Sequence, residues 1–260
     1  MNPIRLLIAL VGMTIAPAIL TPVVAAQVQP TPIEERNSAA AYFEEGLTRI
    51  NRGDYRGAID AFTEAIEAQP NLASAYYNRA KAHTELGNYQ RAIDDYTQAI
   101  EINPEHAPAY INRGNIRSAL GDSEAAIEDF TQALRLDPRD PDAYYNRAID
   151  RSNLGDLEAA IDDYTRTIEL DPNYIPAYLN RGVVQGLRGK HQKAIADFTQ
   201  ILRLDPNYAE AYGNRGLAYV SVGNLDAAIS DMEQAVELFE QQGRVEDVRR
   251  AREILRRLQN

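Results

Sequence analysis

Residues 73–106 read ASAYYNRAKAHTELGNYQRAIDDYTQAIEINPEH. Two apolar patterns at helical spacing are separated by Gly87 and stopped by Pro104. Moved along by 34 residues, the stretch matches the next part of the chain: Asn78-Arg79 becomes Asn112-Arg113, Asn146-Arg147, Asn180-Arg181 and Asn214-Arg215. Gly87 has counterparts at Gly53, Gly121, Gly155, Gly189 and Gly223, and Pro104 at Pro70, Pro138, Pro172 and Pro206. A fixed period of this size predicts a solenoid, in which each unit buries its apolar face only against its neighbours.

The punctuation has physical causes. A glycine permits the left-handed backbone that ends the first helix of a unit. The next residue is Asp54, Asn88, Asp122, Asp156, Lys190 or Asn224, and all but the lysine are good N-caps for the second helix. The proline then stops the second helix. Ile93, Tyr96, Ala99, Ile100 and Ile102 give one apolar face, so the aromatics are core.

Composition excludes several function classes. The chain of 260 residues carries a formal charge of −11; residues 1–38 are neutral and 243–260 are basic, so the repeats are more acidic still. Such a surface repels phosphate backbones, and nucleic-acid binding is not expected. With no cysteine, disulfides, thiol nucleophiles and thiolate metal sites are ruled out. His83, His106 and His191 fall at different places of the period, so no metal site and no cofactor are expected. No phosphate loop, Gly-x-Ser-x-Gly or His-x-x-x-His pair occurs. Paired acids such as Asp94-Asp95 and Asp162-Asp163 return with the repeat, as a structural or solvated face does. An enzyme is not expected.

The unit resembles the tetratricopeptide repeat. The large aromatic and small residues of that pattern are Tyr76, Ala80, Ala92, Tyr96 and Ala99 here, followed by Pro104. Six copies fit, at 39–72, 73–106, 107–140, 141–174, 175–208 and 209–242. Departures are Thr167 and Ile201 for the late small residue, Met232 for the aromatic and Glu240 for the last proline. The resemblance implies an all-α fold, an α-solenoid forming a right-handed superhelix. It also implies that the first helices line a concave groove. There Asn78, Asn112, Asn146, Asn180 and Asn214 form a ladder of the kind some arrays of the family use to hold a peptide backbone. A carboxamide both donates and accepts, as a peptide unit requires. Beside the ladder stand Phe43, Tyr77, Ile111, Tyr145 and Leu179. One turn on come Leu47, Lys81, Asn115, Ile149, Val183 and Leu217. Lys81 and Asn115 partly match the family's clamp for a C-terminal carboxylate, but Tyr77 and Ile111 occupy the preceding lysine place, so that mode is not expected. The tyrosine-rich, Asn-Arg-Gly/Ala style resembles repeats common in cyanobacteria.

A second regularity concerns the scaffold. Arg79, Arg113, Arg147, Arg181 and Arg215 each have an aspartate sixteen residues later: Asp95, Asp129, Asp163, Asp197 or Asp231. In the first unit Glu45 and Ala61 take both places. Joint loss predicts a bridge between the two helices of a unit, for which the planar guanidinium fork is suited.

The two ends differ from the array. After Arg5, residues 6–26 are apolar apart from two threonines, and Val24-Ala25-Ala26 offers small residues before polar Gln27-Val28-Gln29. This predicts a secretory signal peptide over 1–26; the alternative is an uncleaved anchor, since residues 4–26 are just long enough to span a bilayer. Export implies the periplasm or, on the cyanobacterial resemblance, the thylakoid lumen. After cleavage no membrane insertion is expected. Residues 27–38 are a linker, in which Thr31-Pro32-Ile33-Glu34 predicts a helix start near Pro32. At the other end, 243–260 reads as a closing helix with Val245, Val248, Ala251, Leu255 and Leu258 as its stripe. Arg244, Arg249, Arg250, Arg252, Arg256 and Arg257 flank that stripe, so a basic docking helix is the sharper alternative to a cap. The expected function is a non-enzymatic scaffold that binds a protein or peptide in the groove. The alternative is a structural component that self-associates or anchors an envelope or thylakoid assembly.

Overall fold

The computed structural model describes residues 38–259. The signal sequence expected over 1–26 and the helix start expected near Pro32 lie outside the described residues. The first described helix, α1, runs Ala39–Asn51, capped by the Ser38 hydroxyl, which accepts from the Ala41 N–H at 3.1 Å. It pairs with α2 (Tyr55–Ala68). Five further pairs succeed it: α3 (Ala73–Glu85) with α4 (Tyr89–Ile102), α5 (Ala107–Ala119) with α6 (Ser123–Leu136), α7 (Pro141–Asn153) with α8 (Leu157–Leu170), α9 (Ile175–Leu187) with α10 (His191–Leu204), and α11 (Ala209–Ser221) with α12 (Leu225–Gln241). A thirteenth helix, α13 (Val245–Gln259), packs on α12. Every regular element among the described residues is a helix packed on the helices before and after it, which makes the fold an α-solenoid.

The turns obey the sequence closely. All six turn glycines have positive φ, as does a seventh, Gly243, between α12 and α13. Asp54, Asp122, Asp156 and Asn224 accept from the N–H three residues on, at 3.0 to 3.4 Å. Asn88 does not; its side chain lies 3.5 Å from His83 Nδ1 instead. Where Glu240 replaces the proline, α12 extends to 17 residues, against 14 in each of α2, α4, α6, α8 and α10.

No unit closes its own core. One cluster joins Ala80 of α3, Ala92, Tyr96 and Ile100 of α4, and Ala109 and Ile116 of α5. At the centre of each pair a large side chain of the second helix meets a small residue of the first. Phe62, Phe130 and Phe198 meet Gly46, Gly114 and Gly182, where an added Cβ would lie 2.4, 3.0 and 2.7 Å from the ring. Tyr96 and Tyr164 sit in the units that carry Ala80 and Ala148. The first five units therefore alternate, Gly with Phe and then Ala with Tyr, a finer period of two units that the sixth, with Gly216 and Met232, leaves.

The expected bridges are present in all five units, and they bind more than two helices. Arg147 donates through Nε to Asp163 Oδ2 at 2.8 Å and through Nη2 to Oδ1 at 2.7 Å. Its remaining nitrogen, Nη1, donates to Thr131 of the preceding α6 at 3.1 Å. The same triple contact joins Arg79, Arg113, Arg181 and Arg215 to Thr63, Thr97, Thr165 and Thr199 as well as to their aspartates. Each guanidinium also lies 5.5 to 5.7 Å from the ring of the tyrosine three residues earlier. A second arginine, Arg117 or Arg151, reaches Asp129 or Asp163.

The closing helix covers the last core, with a shifted stripe. Val248, Ala251, Ile254 and Leu255 pack on Phe239 and its neighbours, while Val245 is exposed. Arg244 pairs with Glu210 and Asp247, Arg249 with Glu246, Arg250 with Asp247, Arg252 with Glu240 and Arg257 with Glu253. Much of the positive charge on this helix is thus offset by nearby acids, which favours the cap over the basic docking helix.

The clamps differ in redundancy, and that gives a test. Asp197 is held by Arg181 alone, whereas Asp163 has both Arg147 and Arg151. Burial pushes the Asp197 carboxyl above its usual range, and Arg181 pulls it back. Arg181→Ala should cost about 3–5 kcal/mol in urea unfolding, because it strands a buried carboxylate. Arg147→Ala should cost only about 1–3 kcal/mol, because Arg151 remains. A carboxyl whose folded pKa is raised contributes stability that is present in acid and lost as pH rises through that pKa. Removing Arg181 moves that pKa further up, so the Arg181→Ala deficit should shrink as the pH is lowered. Equal losses for the two variants at neutral pH would refute the assignment.

Candidate functional site

First helices of successive units approach one another, α1 to α3, α5 to α7 and α9 to α11, more closely than second helices do. The first-helix side is therefore the inner side of the curve. The five ladder asparagines sit at one place on these helices, and the structure divides them into two kinds.

Asn112 and Asn180 are built into the scaffold. Asn112 donates to the Tyr77 hydroxyl and Asn180 to the Tyr145 hydroxyl, each at 3.1 Å and each across a unit boundary. Burial pushes the Tyr96 hydroxyl well above its ordinary pKa, with Thr84 and Asn112 pulling it down. Burial likewise pushes Tyr164 up to about 12, and Asn180 is among the groups that lower it. These two asparagines answer the hydroxyls of the preceding tyrosine unit, which cannot be left unpaired at low cost.

Asn78, Asn146 and Asn214 come after phenylalanine units and have no such hydroxyl to satisfy. Asn78 donates to the Ser74 carbonyl of its own helix at 2.8 Å. Asn146 donates to the exposed Asn115 at 3.0 Å. Asn214 makes no side-chain hydrogen bond within the protein, and it lines two neighbouring pockets.

The flanking residues divide in the same way. Tyr77 packs on Tyr96 at 5.7 Å and edge-on to His106 at 4.6 Å, and the Lys81 ammonium lies over its ring at 5.8 Å. Tyr145 packs on Tyr164 at 5.9 Å and Tyr174 at 5.0 Å. Both rings are half-buried and serve the core as much as the groove. Ile111 and Leu179 are also half-buried, and Leu179 packs on the core around Phe198. Lys81, Asn115, Val183 and Leu217 are exposed.

Four pockets open along this side. Lys81, Tyr89, Asn112 and Asn115 edge one of about 290 Å³. Asn115, Ser118, Asn146 and Ile149 enclose about 200 Å³. Behind the second, Asp150 is wholly buried; its Oδ1 accepts from Ser118 at 3.0 Å and Ser123 at 2.7 Å, while Oδ2 has no partner. The third pocket, about 260 Å³, is nearly all apolar and includes Val183, Gly186, Leu187, His191 and Leu217. The fourth, about 360 Å³, lies between α11, α12 and α13 beside Gly213. Gly186 and Gly213 are not among the residues expected at the groove from sequence. A signal exists all the same: both interrupt a helix at a groove-lining place, where glycine is unfavourable.

Models described as tetratricopeptide repeats match residues 73–106 and 141–174, 187–256, 46–87 and 114–149, and 95–128 and 163–196, leaving no gap between 46 and 256. The chain belongs to the tetratricopeptide repeat family. Among solved structures, MamA is 26% identical, with a TM-score of 0.64 over 68% of this chain and 96% of MamA. YrrB, described as a tetratricopeptide repeat protein with an unusual peptide-binding site, is 27% identical, with a TM-score of 0.64 over 69% of this chain and 93% of YrrB. A tetratricopeptide repeat protein from Parabacteroides merdae, 19% identical, shares the fold over 85% of this chain and 96% of its own, with a TM-score of 0.63. No curated protein sequence matched the chain.

The two kinds of asparagine in this tetratricopeptide repeat array separate experimentally. Asn112→Ala and Asn180→Ala should each lower stability by about 0.5–1.5 kcal/mol in urea unfolding. Asn214→Ala should be neutral or slightly stabilising, because alanine is the better helix former and no bond is lost. A loss at Asn214 equal to that at Asn180 would show that the division is wrong.

Proposed function

We propose that this protein is a scaffold whose inner groove holds an extended segment of another polypeptide, with Asn146 and Asn214 binding its backbone. The observation that carries this reading is the unpaired carboxamide of Asn214 between two largely apolar pockets. A helical ligand has already satisfied its own peptide groups, whereas an extended one presents donors and acceptors to a carboxamide. The apolar walls, with Val183, Leu187 and Leu217 exposed, supply contact area without selecting a charge. The peptide-binding site of YrrB supports a polypeptide as the class of ligand. The apolar run over residues 6–26 and its Val24-Ala25-Ala26 ending favour an exported scaffold, periplasmic or thylakoid luminal.

The test uses several unrelated peptides selected from a random library on the wild-type protein. The double variant Asn146→Ala with Asn214→Ala should bind all of them more weakly by a similar factor, about 5- to 150-fold for two lost bonds. Fluorescence anisotropy of labelled peptides reads this directly. Unchanged affinities, or losses confined to particular sequences, would remove the asparagines from the backbone-binding role.

A further inference from the structure

Gly213 is a glycine that the fold does not require. It lies inside α11, where glycine costs about 1 kcal/mol against alanine. Its φ is not in the left-handed region, and a Cβ built there would meet only Ala235 Cβ, at 3.9 Å. The glycines at the unit centres, three residues further on, are different: Gly46, Gly114 and Gly182 have a phenylalanine ring where a Cβ would go, and Gly216 has Met232 Cε at 3.3 Å. Elsewhere in the array the place of Gly213 is filled. Phe43, Tyr77 and Tyr145 hold it with rings 5.7 to 5.9 Å from those of Phe62, Tyr96 and Tyr164 beneath. In the last unit the residue beneath is the buried Met232, no side chain stands at the Gly213 place, and a cleft of about 360 Å³ with Met232 in its lining opens there. Its walls are Leu217, Phe239, Ala251 and Ile254. Arg244 and Arg250 at its mouth are joined through Asp247, and Arg244 stacks on Phe239 at 4.6 Å from the ring centroid.

We propose that this cleft is a slot for an aromatic side chain, phenylalanine or tyrosine, supplied by the bound polypeptide. Three of the chain's own units fill the same place with an aromatic ring and two with Ile111 and Leu179; here Arg244 and Arg250 border the cleft, which favours a ring, whose face attracts a cation, over an aliphatic chain. A slot left empty, at a residue that also weakens its helix, breaks two local rules with no compensation inside the fold, and such breaks mark functional places. The ligand backbone has its contact next door, because Asn214 lines this cleft and the adjoining apolar pocket alike. An anchor of this kind, a ring in a desolvated pocket beside a backbone contact, carries most of the affinity at polypeptide interfaces. The proposal rests on the groove reading but names its own subsite and is read by a different probe.

Methionine supplies the reporter. The chain has three, Met1, Met13 and Met232, and Met232, the one among the described residues, lines the slot. With methyl-labelled methionine in the full chain, p-cresol or N-acetyl-phenylalaninamide should shift the Met232 methyl signal saturably. N-acetyl-alaninamide should not. Gly213→Phe should fill the slot from within, so that Met232 is shifted without any probe and responds to none. Gly213→Ala, for which there is room, should raise the melting temperature and keep the response, which guards against misfolding as the cause. Because p-cresol has no peptide unit, this result stands apart from the asparagine experiment. A Met232 signal that does not saturate, or that responds equally in Gly213→Phe, would overturn the slot.

Discussion

The arginine of each first helix is the constraint on which the array depends. Its guanidinium is shared among three helices: two nitrogens hold the aspartate of its own second helix, and the third holds a threonine of the unit before. Lysine could not do this, because a single ammonium has neither the planar fork nor the flat face that lies near the tyrosine ring. Buried ion pairs are poor sources of net stability, since desolvating the charges costs about what their attraction returns. What such a contact does supply is geometry. Each unit can dock on the previous one only at the rotation that brings threonine, arginine and aspartate together, and five repetitions of one rotation make a regular curve. The ends are consistent with this role. In the first described unit Glu45 and Ala61 take the arginine and aspartate places; in the last, Glu233 takes the threonine place, and Arg249, which stands where the next arginine falls, pairs with Glu246 instead.

Placing the charge on that side frees the opposite side of each first helix, and the two-unit alternation then decides what the groove offers. Tyr77 and Tyr145, which stand over the core tyrosines, bring hydroxyls that need a partner, and Asn112 and Asn180 of the next units provide it. Phe43, Ile111 and Leu179 at the same place make no such demand, and the asparagine after each is not held there. The same residue, at the same place in every unit, is thus scaffold or groove according to one oxygen atom in the unit before.

The same dependence on neighbours explains which features are legible without the fold. The helix pairs are legible because glycine and proline mark backbone states that few other residues share. The Arg–Asp bridge is legible because both partners vanish together in the first unit. The threonines are not, since a helical threonine looks neutral until something approaches its hydroxyl; here Thr63, Thr97 and Thr165 also bond back to the carbonyl four residues earlier. Asn112, Asn146 and Asn180 are undecidable at the level of one unit, because their partners lie 31 or 35 residues away. The stripe of α13 departs from expectation at Val245, where the chain is still leaving the Gly243 turn, and Ile254 packs in its stead.

The groove is consequently uneven along its length. Before α9, two of the places beside the ladder are held by rings packed on further rings of the protein, Tyr77 against His106 and Tyr145 against Tyr174. In its second half small residues accumulate on the first helices, Gly182 and Gly186 on α9 and Gly213 and Gly216 on α11. Two of these, Gly182 and Gly216, are needed to seat Phe198 and Met232, and a Cβ there would crowd them. Gly186 and Gly213 have room for a Cβ, and each borders a pocket. Packing alone would favour filling both positions, since empty volume beside a core forfeits contacts and weakens a helix at once. Exposed Leu187 and Leu217 and the unpaired Asn214 lie beside the same two pockets, so the unfilled volume and the exposed apolar surface coincide on α9 and α11.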